Sequence, residues 1–148
     1  MERSRRLAEL IERGVRDSEV REAKGLWMAR VNGHYRANAV GLALVGHWSG
    51  PREAWRHYCG EIAESKTPLS AVGRVLDMPS ALLSTVDDLH HAGHSAAWIV
   101  ALLRDGALGE RWQGWQDPQA FLAQCEREAR MGRVPGRLAG LLRIFGFL

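Results

Sequence analysis

Three histidines stand close together at His90-His91-x-x-His94, with Asp87 and Asp88 just before them. Imidazoles four apart on a helix share a face and are ready ligands for zinc-like ions, so His90, His91 and His94 are the candidate metal ligands. Two features oppose a metal centre. Gly93 is a natural helix stop and would turn His94 away from its neighbours. Cys59 and Cys125 stand alone, so no second cluster has ligand spacing. The plainer account is electrostatic: a histidine near a helix C-terminus, one turn from Asp87 and Asp88, is favoured where it stands. No metal or other cofactor is expected.

A second polar group, His57, Tyr58, Cys59 and Glu61, shares one helical stretch. Residues two apart point to different helix faces, so His57 cannot activate Cys59 directly. The chain holds no Gly-x-Ser-x-Gly elbow, no glycine-rich phosphate loop and no His-Glu-x-x-His. A catalytic role is therefore not expected. A metal-dependent enzyme at His90, His91 and His94 ranks third among the readings.

Binding residues are easier to nominate. The sequence holds six tryptophans. Trp27, Trp48, Trp55 and Trp98 fall at apolar positions and are expected in or beside the core. Trp112 and Trp115 instead sit among Arg111, Gln113, Gln116 and Asp117 in a glycine-broken stretch. Rings beside a guanidinium suit a protein interface, or stacking on bases, so Arg111, Trp112 and Trp115 are candidate partner-binding residues. Arg130, Arg133, Arg137 and Arg143 line the tail, where no acid follows Glu128. With Ser95 and Arg104 they are the candidate nucleic-acid contacts, because arginine forks match phosphate. The tail is also apolar on more than one helical face. It either docks on the core or serves a partner or a second copy of the chain.

A chain of 148 residues with 46% hydrophobic and 25% charged residues is long enough for one ordinary core. The net charge of +3 is unevenly spread. Residues 1–36 carry nine basic and six acidic groups, residues 37–125 six and nine, and residues 126–148 five and two. Termini often lie close together in a single domain, which would gather the basic ends on one face. No signal-peptide core and no apolar run of membrane-spanning length is present. Two cysteines make no disulfide framework, and buried free thiols in a reducing cytoplasm are expected.

Breakers and apolar spacing divide the chain into about seven helical segments. The first covers Ser4 to Ala23, with Leu7, Leu10, Ile11 and Val15 in a stripe and pairs such as Glu12–Arg16 and Asp17–Arg21 outside. Tyr35 to His47 is nearly uncharged after Arg36 and reads as the buried central helix. Pro51 and Pro68 open further helices, and Asp77 with Pro79 begins another that stops at Gly93. Ser95 caps the next, which ends near Gly106; two more follow toward the C-terminus. No Asn-Gly or Asp-Gly turn is read between alternating strands, so no hairpin is expected.

The stretch Leu89-x-x-x-Gly93-His94-Ser95-x-x-x-Ile99-x-x-Leu102 resembles the first two helices of a helix-turn-helix as found in resolvase and transposase DNA-binding domains. The resemblance covers residues 81–105. It implies a leucine packing the first helix, a glycine in the turn and a serine capping the second helix. A recognition helix would have to come from Ala107 to Trp115, which holds two glycines and offers only Arg111 and glutamines for base readout. A fainter likeness, to small helical subunits of CRISPR effector complexes, is carried by Asn38, Gly41, Ala43, Leu44 and Trp55.

The expectation is thus an all-α, single-domain bundle of six to eight short helices over residues 1–148, with a helix-turn-helix-like pair at 81–105. It is expected to be a cytoplasmic, non-catalytic accessory protein, adaptor or inhibitor that docks on a larger protein or nucleoprotein complex. A helix-turn-helix DNA-binding regulator is the alternative. Nucleic acid is a candidate partner, a membrane is not, and the C-terminal helix is where a homo-oligomer would form.

Overall fold

The computed structural model describes residues 2–104. Its elements are α1 (Glu2–Arg16), β1 (Val20–Glu22), β2 (Met28–Val31), β3 (His34–Ala37), α2 (Ala39–Trp48), α3 (Pro51–His57), α4 (Pro68–Leu76), α5 (Ser80–His91) and α6 (Ala96–Arg104). A π turn over Tyr58–Ile62 continues α3. The all-α expectation is corrected: a three-stranded mixed sheet lies between α1 and α2 in chain order. No helix among the described residues is long and apolar enough to cross a membrane.

The sheet has the order β1-β3-β2, with β1 parallel and β2 antiparallel to β3. Residues opposite one another share a face, and successive residues alternate. Val20, Met28 and Ala37 are therefore buried together, with Tyr35 half-buried beside them. Arg21, Ala29, Val31, His34 and Arg36 form the other side. The turn between β2 and β3 is Asn32-Gly33, with φ of 51° and 79°. Two consecutive left-handed residues match the twist of a tight hairpin, and Asn-Gly is the pair that adopts them most readily. That signal lay in the sequence. It was overshadowed because each strand is only four residues long and β3 runs into a uniformly apolar helix.

Two helix boundaries move accordingly. The first helix stops at Arg16 rather than Ala23, where Asp17 Oδ1 accepts from the Glu19 amide at 2.9 Å and turns the chain. Val20 is then buried in the sheet, and Asp17–Arg21 is not a helical pair. The central helix starts at Ala39 rather than Tyr35, because the Asn38 side chain accepts from the Gly41 amide at 3.0 Å as an N-cap. Asp77 is also reassigned. It closes α4 with φ of 54°, and Pro79 precedes α5.

α2 is buried from Ala39 through Gly46 and packs antiparallel on α1. The backbones touch. A Cβ on Gly14 would collide with the Leu42 carbonyl, and one on Gly46 with the Leu10 carbonyl. Glycine costs a helix interior roughly 0.5–1 kcal/mol relative to alanine. Here it permits the close approach of α1 and α2, with Leu7, Leu10, Ile11, Leu42 and Val45 all buried in the core. α5 and α6 close the core with Leu83, Val86, Leu89, Trp98, Ile99 and Leu103.

Candidate docking surface

The histidines do not converge. His90 is 2% exposed, and its Nε2 lies 2.9 Å from Glu22 Oε2. The same carboxylate oxygen accepts from the Ala96 amide at 3.0 Å, at the start of α6. Glu22 thereby ties β1 to both α5 and α6. His91 is exposed, and His94 stacks on Trp98 with ring centroids 4.1 Å apart. Burial, and then the Lys24 charge, hold the His94 pKa below its ordinary value. Among the described residues no three His, Cys, Asp or Glu side chains are grouped to hold a metal.

Asp87 is a second tie that sequence reading missed. Its Oδ1 accepts from Trp27 Nε1 at 3.1 Å and from Asn38 Nδ2 at 2.7 Å, and Asn38 in turn caps α2. One carboxylate thus joins the β2 entry, the α2 cap and α5. A cleft of about 260 Å³ opens here, lined by Gly25, Asn38, Asp87, Asp88, His90 and His91. Burial, and then Asp87, raise the Asp88 pKa, while His91 opposes them. The cleft is polar. Even so, Asp87, Asn38 and the Nε2 of His90 are already engaged within the fold.

The α5–α6 pair has Gly93 in its turn with φ of 114°, and Ser95 Oγ accepts from the Trp98 amide at 3.1 Å. Leu89, Ile99 and Leu102 are buried. Ser95 therefore serves as a cap, and Arg104 is ion-paired with Glu12 of α1. α6 buries Ala96, Trp98, Ile99, Val100, Leu102 and Leu103, which leaves little beyond Ala97, Ala101 and Arg104 facing outward. Such a face presents no set of base-reading side chains. An apolar groove of about 370 Å³ runs between α1 and α6, along Val15, Ala97, Val100 and Ala101. Val15, expected in the core stripe, is 45% exposed there. Cys59, expected to be buried, is an exposed free thiol.

The outer side of the sheet is a different kind of surface. Arg21 and Arg36 are direct neighbours on β1 and β3, with Ala29 opposite on β2. His34 and Val31 form the adjoining pair on the same side. Arg21, Arg36, His34 and Val31 are all exposed. No ion pair engages either arginine among the described residues. Glu19, just before β1, makes none either, and Glu22 projects to the opposite side to hold His90. The strands contribute two positive charges and no negative one to this face. Sequence reading missed it because Arg21 was assigned to a helix and Arg36 to the start of another; only the register sets them abreast.

Arg111, Trp112 and Trp115, and the tail arginines Arg130, Arg133, Arg137 and Arg143, lie outside the described residues. No family model, curated protein or solved structure matches the chain.

Proposed function

We propose that the chain is a non-catalytic adaptor that docks on a larger nucleoprotein complex through the outer face of its sheet. The observation that carries this reading is the exposed Arg21–Arg36 row, with which no carboxylate of the described residues pairs. Like charges directly opposite on neighbouring strands destabilise a sheet by tenths of a kcal/mol to about 1 kcal/mol. A like-charged row that works against folding is the kind of local cost expected at a functional surface. Exposed Val31, beside the row, supplies apolar contact area of the kind interfaces enclose.

Polar groups at the element junctions support the same conclusion. His90, Glu22, Asp87, Asn38 and Ser95 hold elements of the fold to one another. The exposed Cys59 thiol suits a reducing, cytoplasmic setting. Trp112 and Trp115 remain candidate anchors for the same partner.

The test is affinity capture from the native host with wild-type protein and the double variant Arg21→Glu/Arg36→Glu. The variant should keep its melting temperature and lose the partners that wild type recovers. Recovery of the same partners by both proteins would refute docking through this face.

A further inference from the structure

We infer that the Arg21–Arg36 row binds the phosphodiester backbone of a nucleic acid. The inference rests on the docking reading above and names the chemistry of the contact. Adjacent strands are about 4.8 Å apart, so the two guanidiniums reach one phosphate together, or two successive phosphates of one strand. Each guanidinium presents a planar fork that matches phosphate oxygens. His34 lies two residues from Arg36 on the same side of β3, about 7 Å along the strand, and extends the donor line.

The rest of the face defines the mode. Ala29 and Val31 are small and give the backbone room to approach. The sheet's aromatic, Tyr35, points to the other side, where it meets Trp55 edge-on at 6.5 Å and Arg30 covers its ring at 5.7 Å. Among the strand residues the outer side carries no Phe, Tyr or Trp, and the single imidazole of His34 is no broad stacking platform for bases. Recognition is therefore of the backbone and indifferent to sequence. An acidic protein surface would also attract the row and would likewise weaken with salt, so direct binding to DNA separates the two. Two phosphate contacts bind weakly alone, which fits a surface that supplies one contact within a larger assembly.

The test uses the full chain and fluorescein-labelled 12-nucleotide DNA, single-stranded and duplex, each in two unrelated sequences, followed by anisotropy. Binding should be equal for the two sequences. Between about 50 and 200 mM salt, two phosphate contacts should weaken affinity about sevenfold for single strands and about twelvefold for duplex. Arg21→Glu/Arg36→Glu should lose at least about tenfold at the lower salt, while Arg21→Lys/Arg36→Lys should keep the salt slope. Arg52→Glu/Arg74→Glu, on α3 and α4, should bind as wild type; both residues are exposed. Circular dichroism establishes that each variant is folded. No binding at about 50 mM salt, or equal binding by wild type and the Arg21→Glu/Arg36→Glu variant, would overturn the inference. If DNA fails to bind yet the capture experiment still depends on the two arginines, the phosphate inference falls and the docking reading stands.

Discussion

Glu22 and His90, 68 residues apart in sequence, meet at 2.9 Å, and the pair fastens the sheet to the α5–α6 corner. Because the same oxygen also accepts from the Ala96 amide, one side chain serves both the buried Nε2 of His90 and an amide at the α6 N-terminus.

Glu22→Ala removes the acceptor that both bonds share and leaves the His90 Nε2 and the Ala96 amide without it. An unsatisfied buried polar group costs about 1–3 kcal/mol, so the midpoint of urea unfolding should fall with little change in slope. Glu22→Gln keeps a carbonyl for the Ala96 amide and should lose less than half as much. Equal losses would show that the negative charge, rather than the hydrogen-bond geometry, holds this corner.

The α1–α2 crossing makes a prediction against helix propensity. Alanine is favoured over glycine in a helix by about 1 kcal/mol. Gly14→Ala and Gly46→Ala should nevertheless destabilise, by about 2 kcal/mol each, because the added methyl meets a carbonyl on the facing helix. Gly60, with nothing near its would-be Cβ, is the control. Gly60→Ala should be neutral or slightly stabilising. Thermal melts of the three variants check the contrast.

Much of the helical layout was legible, and particular residues show why. Pro51, Pro68, Gly93 and Ser95 act locally, through φ restriction, a left-handed turn and a side-chain cap, so a single sequence exposes them. The uniformly apolar run in α2 announced a buried helix. The strands were not read, since three or four residues give too little alternation to outweigh an adjoining helical pattern. The site suffered most. His90, His91 and His94 are neighbours in sequence yet face different surroundings, whereas Arg21 and Arg36 become neighbours only through β1–β3 register.

The hairpin turn offers a local check. Asn32 and Gly33 both hold positive φ, so Gly33→Ala should cost about 1 kcal/mol, and Asn32→Val more. Asn32→Gly should be nearly neutral. Loss of protection in β2 and β3 amides by hydrogen exchange, with α1 and α2 still protected, would localise the damage to the hairpin.

His94 predicts a pH dependence. Its pKa in the folded chain lies below the ordinary 6.5, through burial and then Lys24. The unfolded chain therefore binds the proton first as pH falls. The stabilising contribution is complete above about pH 6.5 and is lost as pH drops through the folded value. Wild type should melt at progressively lower temperature across that window, and His94→Gln should show a shallower decline. An unchanged slope in the variant would remove His94 as the source.

The outer side of the sheet is the proposed working surface. Amide chemical-shift mapping of the labelled chain, titrated with 12-nucleotide single-stranded DNA at about 50 mM salt, tests it residue by residue. The largest shifts should fall at Arg21, Ala29, His34 and Arg36, all reversed on raising salt. Shifts centred on the exposed edge of α6 around Ala97 and Arg104, or none anywhere, would contradict it.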